Sequence, residues 1–178
     1  MNPTLPLSWG AKVSGEFRTR LYLMMDEFGW PEERASWLMA VMAFETGRTF
    51  SPSIRNPGSS AVGLIQFMAA TARNLGTRTA TLASLSAVSQ LHYVQRYLAP
   101  MAPRIESLED LYMAVLWPAA IGKRPDALLW AKGANPYAAN RGLDLDRNGR
   151  ITKAEACAKV RALLVEGYAP GKVWEPRP

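Results

Sequence analysis

Apolar side chains in this chain recur at intervals of three and four residues, and no stretch alternates cleanly with a period of two. Residues spaced i, i+3, i+4 and i+7 share one face of a helix, whereas a half-buried strand needs strict alternation. The pattern therefore predicts an all-α fold. Phe17, Leu21, Met24, Met25 and Phe28 predict a helix over residues 8–28, with Gly29 stopping it. Pro31, followed by the acids Glu32 and Glu33, suits the start of a second helix. Leu38, Val41, Met42 and Phe44 carry that helix to Gly47.

The segment from Arg48 to Gly63 is rich in Ser, Pro, Gly and Asn and reads as an irregular loop. Further helices are expected over about 64–75 and about 84–98, and from Ser107, whose hydroxyl stands three residues before Asp110. Pro118 bends or ends that last one. One or two helical turns are expected between Asp126 and Lys132. A polar loop follows over 133–151, and a final helix runs from Thr152 to about Val165. A length of 178 residues with 48% hydrophobic residues suffices for one domain with its own core. The catalytic part is expected over about 8–130, and the last loop and helix over about 140–166.

Several chemistries are unsupported. The one cysteine, Cys157, allows no internal disulfide and reads as a small buried apolar residue. The one histidine, His92, is too little for a Ser-His-Asp or multi-histidine zinc site. No run approaches the roughly 18 apolar residues of a membrane span. The start, MNPTLPLSWGAK, lacks a basic stretch followed by an apolar one, so it does not read as a secretory leader. The protein is expected to be made in a cytoplasm and to need another route if it acts outside. Lys and Arg number 21 against 15 Asp and Glu, a formal charge of +6. That excess favours polyanionic partners. Nucleic acid is the weaker choice among these, because the basic residues form no dense run.

Glu45 carries the functional argument. It stands at i+7 on the stripe Leu38, Val41, Met42, on a side that should be buried, near a helix C-terminus. Burial and the negative end of the helix dipole both disfavour the charged carboxylate. An acid that stays protonated near neutral pH is what glycosidic cleavage needs. The same spacing also allows a glutamate that escapes to solvent at a frayed helix end.

The stretch Glu45-Thr46, a loop, then Gly63-Leu64-Ile65-Gln66-Phe67-Met68-Ala69-Ala70-Thr71-Ala72 resembles the goose-type lysozyme and soluble lytic transglycosylase superfamily. That pattern has Glu-Ser and then Gly-Leu-Met-Gln-x-Met-Pro-x-Thr-Ala. Thr46, Ile65 and Ala69 depart from it. Leu116-Trp117-Pro118-Ala119-Ala120 is the nearest counterpart of the family's Ala-Tyr-Asn-Ala-Gly and lacks its Asn and Gly. The resemblance implies a lysozyme-like single domain that cleaves the MurNAc–GlcNAc β-1,4 bond of peptidoglycan, of the phage endolysin type, reaching the wall after holin-type release. It implies a monomer acting on glycan strands, without nucleic acid and without stable membrane insertion. Glu45 would be the acid. Thr46, Gly63, Gln66, Phe67, Tyr93, Trp117 and Tyr137 would contact substrate, Gln66 through its amide, Gly63 by letting backbone approach the glycan, and the aromatics through their faces. Glu106, Glu109, Asp110 and Asp126 are available as a second carboxylate, but none has a motif around it. Both a transglycosylase, with an internal 6-hydroxyl attack and a lone Glu, and a hydrolytic muramidase remain open. A non-catalytic calcium-dependent wall-binding module is the alternative.

The run from Asp144 to Glu155 fits the EF-hand-like pattern D-x-[DN]-x-[DN]-G-x5-E at all twelve positions. The expected calcium ligands are Asp144, Asp146, Asn148, the Arg150 carbonyl, Thr152 and a bidentate Glu155, with Gly149 at the sharp turn. No second loop is present to pair with it, and the preceding NPYAANRG does not read as a helix. The expected role is a structural clip holding the segment of Tyr137 and Asn140.

Overall fold

A computed structural model describes residues 3–176. The central element is α2 (Glu33–Glu45). Every residue from Leu38 to Ala43 is fully buried, so this helix is enclosed on all sides, as a helix apolar all round must be. Helices α1 (Gly15–Phe28), α6 (Leu108–Leu116) and α8 (Lys153–Glu166) pack around it. The remaining helices are α3 (Ala69–Asn74), α4 (Thr79–Ser84), α5 (Ala87–Leu98) and α7 (Asn135–Asn140), with α5 lying along α1. No helix among the described residues is long and apolar enough to cross a membrane.

Caps set several of the helix ends. The Ser14, Ser86 and Ser107 hydroxyls accept from the backbone N–H groups of Phe17, Ser89 and Asp110. Thr152 and Glu155 form a reciprocal capping box at the start of α8. Gly29, left-handed at φ 62°, closes α1.

The structure corrects the expected elements at several points. The first helix begins at Gly15, after a short 3-10 turn over Gly10–Lys12. Trp9 adopts a left-handed φ of 63° and sends its indole N–H to the Leu163 carbonyl at 2.8 Å, which pulls residues 8–14 onto α8. Residues 64–68 are not helical. Val62 bridges both Arg55 and Phe67, and Gln66 sits at φ 53°, so α3 starts at Ala69. The segment 126–132 is a strand, β1 (Leu128–Ala131), paired antiparallel with β2 (Arg150–Thr152). The fold is mostly helical with this one two-stranded sheet among the described residues. NPYAANRG contains the single-turn helix α7.

Two long-range ties fix the frame. Leu7 and Trp174 exchange backbone hydrogen bonds of 2.9 and 3.1 Å, so the two ends of the described chain lie side by side. Lys153, at the start of α8, is buried and places its ammonium 2.6 Å from Asp110 of α6. The Gly122 N–H donates to the same carboxylate at 2.7 Å, and the Lys123 carbonyl accepts from Lys153 at 2.9 Å. A buried pair completed in this way is costly to break from one side only.

Candidate active site and metal loop

Glu45 is the last residue of α2 and ends the most deeply enclosed helix of the protein. Its side chain keeps a partial opening to solvent, yet no hydrogen-bond or ion-pair partner meets it among the described residues. Desolvation alone pushes its carboxyl up to about 7. Phe44 packs edge-on against Tyr112 of α6, with ring centroids 5.5 Å apart. Burial raises the Tyr112 phenol, and the negative charge of Glu45 adds to the rise. A protonated phenol therefore stands near the carboxyl. The sequence reading passed over Tyr112, because an aromatic at core spacing in LYMAVLW carries no separate signal.

The chain after Glu45 is conformationally unusual. Of the five non-glycine residues with positive φ among the described residues, Arg48, Phe50 and Gln66 fall between Glu45 and Phe67. Such conformations cost free energy and collect at functional sites. Gln66 is half-buried and donates its amide N–H to the Gly63 carbonyl at 3.1 Å. Its amide oxygen accepts nothing from the described residues, so an acceptor is held in place with its lone pairs unspent.

The other expected contact residues are placed differently. Thr46 is fully buried, donates to the Met42 carbonyl at 2.6 Å and accepts from the Phe50 N–H at 3.0 Å, so its hydroxyl closes the helix end. Gly63, buried at φ +80°, has no room for a side chain: a Cβ there would lie 2.2 Å from Gln90 Oε1. The glycine serves close packing against Gln90, which corrects the expectation that it lets a glycan approach. Gln90, fully buried and missed from sequence, accepts from the Leu64 N–H and donates to the Pro52 and Leu82 carbonyls. One amide thereby staples the loop after α2 to α4 and α5. Phe67 is 2% exposed and packs edge-on against Tyr97, so it is core and not a sugar platform. Tyr93 and Trp117 keep partial exposure, the first under Arg96 and the second against Trp130 at 5.4 Å. Tyr137 belongs to the acidic loop: its hydroxyl donates to Asp144 Oδ2 at 2.6 Å.

Three of the four spare carboxylates are held in ion pairs. Asp110 is locked to Lys153, Glu109 pairs with Arg161 at 2.6 Å, and Asp126 pairs with Arg124 on the surface. Glu106 is exposed.

The acidic loop does gather ligands. Oxygens of Asp144, Asp146 and Glu155 all lie within 4.8 Å of one another. Backbone N–H groups of Asn148 and Gly149 donate to Asp144, and with Tyr137 they hold its carboxyl below the usual carboxylate range. Glu155 spends Oε2 on the capping box, while its Oε1 is shut from solvent with no hydrogen bond of ordinary geometry among the described residues, although the nearby Leu145 and Asp146 backbone N–H groups help hold the carboxyl below the usual range. Three carboxylates this close, one with an orphaned oxygen, fit a hard divalent cation. Asn148 Oδ1 accepts from the Arg150 N–H while its Nδ2–H donates to Asp146 Oδ2 at 2.8 Å, and the Thr152 hydroxyl donates to Glu155 Oε2 at 2.8 Å, so both side chains meet the acidic cluster as donors. β1 supplies the pairing partner that the sequence did not offer, with Trp130 opposite Ile151.

No family model matches the chain, and neither a curated protein nor a solved structure does.

Proposed function

We propose that the protein cleaves the β-1,4 bond between MurNAc and GlcNAc in peptidoglycan, with Glu45 as the proton donor. One observation carries this reading: a carboxyl that has no partner among the described residues, at the end of an enclosed helix, is raised to about 7 by desolvation alone. An acid of that strength is protonated in a large share of molecules at neutral pH, and it can hand its proton to a glycosidic oxygen as the bond breaks. Gln66 would orient the sugar through its unspent amide oxygen, accepting from an N-acetyl N–H or a hydroxyl. Tyr112 would remain a neutral neighbour of the acid. With Asp110, Glu109 and Asp126 held in ion pairs, a single-acid scheme is favoured. Glu45 would first protonate the leaving oxygen and then take a proton from the muramoyl 6-hydroxyl, giving a 1,6-anhydro product.

The acidic loop would hold calcium through Asp144, Asp146 and Glu155. The ion would supply charge compensation and a fixed loop geometry. Its role is structural, since β2 and Lys153 connect the loop to β1 and α6.

Mass analysis of the muropeptides released from purified sacculi tests the proposal. Anhydro-ended fragments, absent with Glu45→Gln, are expected. Reducing ends would assign the hydrolytic muramidase. Sedimentation with sacculi and no released fragment would replace catalysis by a calcium-dependent wall-binding module.

A further inference from the structure

Between Glu45 and Glu106 the chain has no aspartate and no glutamate, against six arginines: Arg48, Arg55, Arg73, Arg78, Arg96 and Arg104. The 21 Lys and Arg less these six leave 15, which balances the 15 Asp and Glu. The whole excess of positive charge therefore sits in one contiguous stretch. Arg48 is spent on Glu166, and Arg104 reaches the Ile121 carbonyl. Two others meet at one hollow, and a third packs on a ring of its wall. Arg73 and Arg78 line a concavity of about 540 Å³ together with Thr77, Thr81 and Tyr93. From α5, Arg96 lays its guanidinium 5.7 Å from the centre of the Tyr93 ring. None of these three arginines has an ion-pair or hydrogen-bond partner among the described residues.

Two guanidinium groups at one hollow, with a third against the Tyr93 ring of its wall, favour an anion beside them, and planar N–H forks match phosphate and carboxylate oxygens in pairs. The hollow is larger than a single phosphate and falls in the size range of small-molecule sites. Two threonine hydroxyls and a tyrosine at its wall are groups that meet sugar hydroxyls and ring faces. We propose that this concavity is a binding site for the oxyanion of an acidic saccharide, a sugar phosphate or a sugar carboxylate. A nucleic acid fits it less well, since a backbone needs a track of several phosphate contacts, and Arg55 and Arg104 do not line the hollow. The proposal stands independently of Glu45.

The test is titration of the full chain, followed by NMR of the Arg Nε–H groups and of the backbone amides of 73–81, at fixed ionic strength. The probes are glucose 1-phosphate, glucuronate and inorganic phosphate. A saturable response to glucose 1-phosphate or to glucuronate is expected, and the tighter of the two identifies the source of the oxyanion. Inorganic phosphate alone should bind several-fold more weakly. The double variant Arg73→Gln/Arg78→Gln should lose affinity by about tenfold or more, since it removes two charge-assisted forks. Arg55→Gln/Arg104→Gln removes the same charge and should stay within about twofold, because screened distant charges contribute little. Both variants replace exposed side chains, and an unchanged melting temperature verifies their folding. The proposal is overturned if neither sugar acid shifts residues 73–81, if both double variants weaken binding equally, or if inorganic phosphate binds as tightly as the sugar acids. Tighter binding of a DNA duplex at the same residues overturns it as well.

Discussion

Replacing Glu45 by glutamine should stabilise the protein increasingly as pH rises from about 4.5 to about 7, and fully above that. A carboxyl raised from 4.5 to about 7 in the folded state is easier to ionise in the unfolded chain. Below pH 4.5 it is protonated in both states and nothing is lost. As pH rises to about 7 the unfolded state releases its proton first, so stability falls, and above about 7 the loss is complete. At about 1.4 kcal/mol per tenfold, the rise amounts to about 3 kcal/mol as an upper bound, reduced by the partial opening of the side chain to solvent. For a chain of this length about 1 kcal/mol moves Tm by about 2–4 °C. Glu45→Gln should therefore melt several degrees above the wild type at pH 8 and level with it at pH 4. The assay is thermal unfolding followed by circular dichroism at matched ionic strength, with wall clearing measured in parallel. Equal melting of the two proteins at both pH values, or a lower melting temperature for the variant at pH 8, would refute the buried-acid reasoning.

Other outcomes follow from the same structure. Calcium at about a hundred times its Kd should stabilise the protein by about 2.7 kcal/mol, and the gain should vanish with a chelator or in Glu155→Gln; calorimetry with and without the ion checks this. Asp110→Ala leaves the Lys153 ammonium buried and unpaired and should cost about 3–5 kcal/mol, whereas pairing it with Lys153→Met should recover much of the loss in denaturant unfolding. Gly63→Ala should destabilise through both its positive φ and the collision with Gln90, and adding Gln90→Ala should relieve only the collision. Phe67→Ala should lose about 3–5 kcal/mol of stability without a specific rise in KM, because the ring is core and not a sugar contact.

The helices were legible where their stripe is local. Leu38, Val41, Met42 and Glu45 marked the central helix and its odd acid, and Ser107 marked the start of α6 through its own cap. What was hidden depends on partners far along the chain. β1 exists because Trp130 and Ala131 find Ile151 and Arg150, a pairing that no window of sequence contains. Gln90 reads as a surface amide until the loop carbonyls of Pro52 and Leu82 are brought to it. Tyr137 reads in sequence as an aromatic for sugars, yet it stands seven residues before Asp144, within reach of the acidic loop. Gly63 was identified as special for the wrong reason: the sequence shows that a side chain is missing, and only packing shows what fills the space.

The proposed catalysis depends on a proton held by Glu45 near neutral pH. The most direct measurement is a titration of the Glu45 side-chain carboxyl carbon by NMR, assigned by its loss in Glu45→Gln. A midpoint near 7 is the expected result. A midpoint near 4.5, the value of a solvated glutamate, would contradict it.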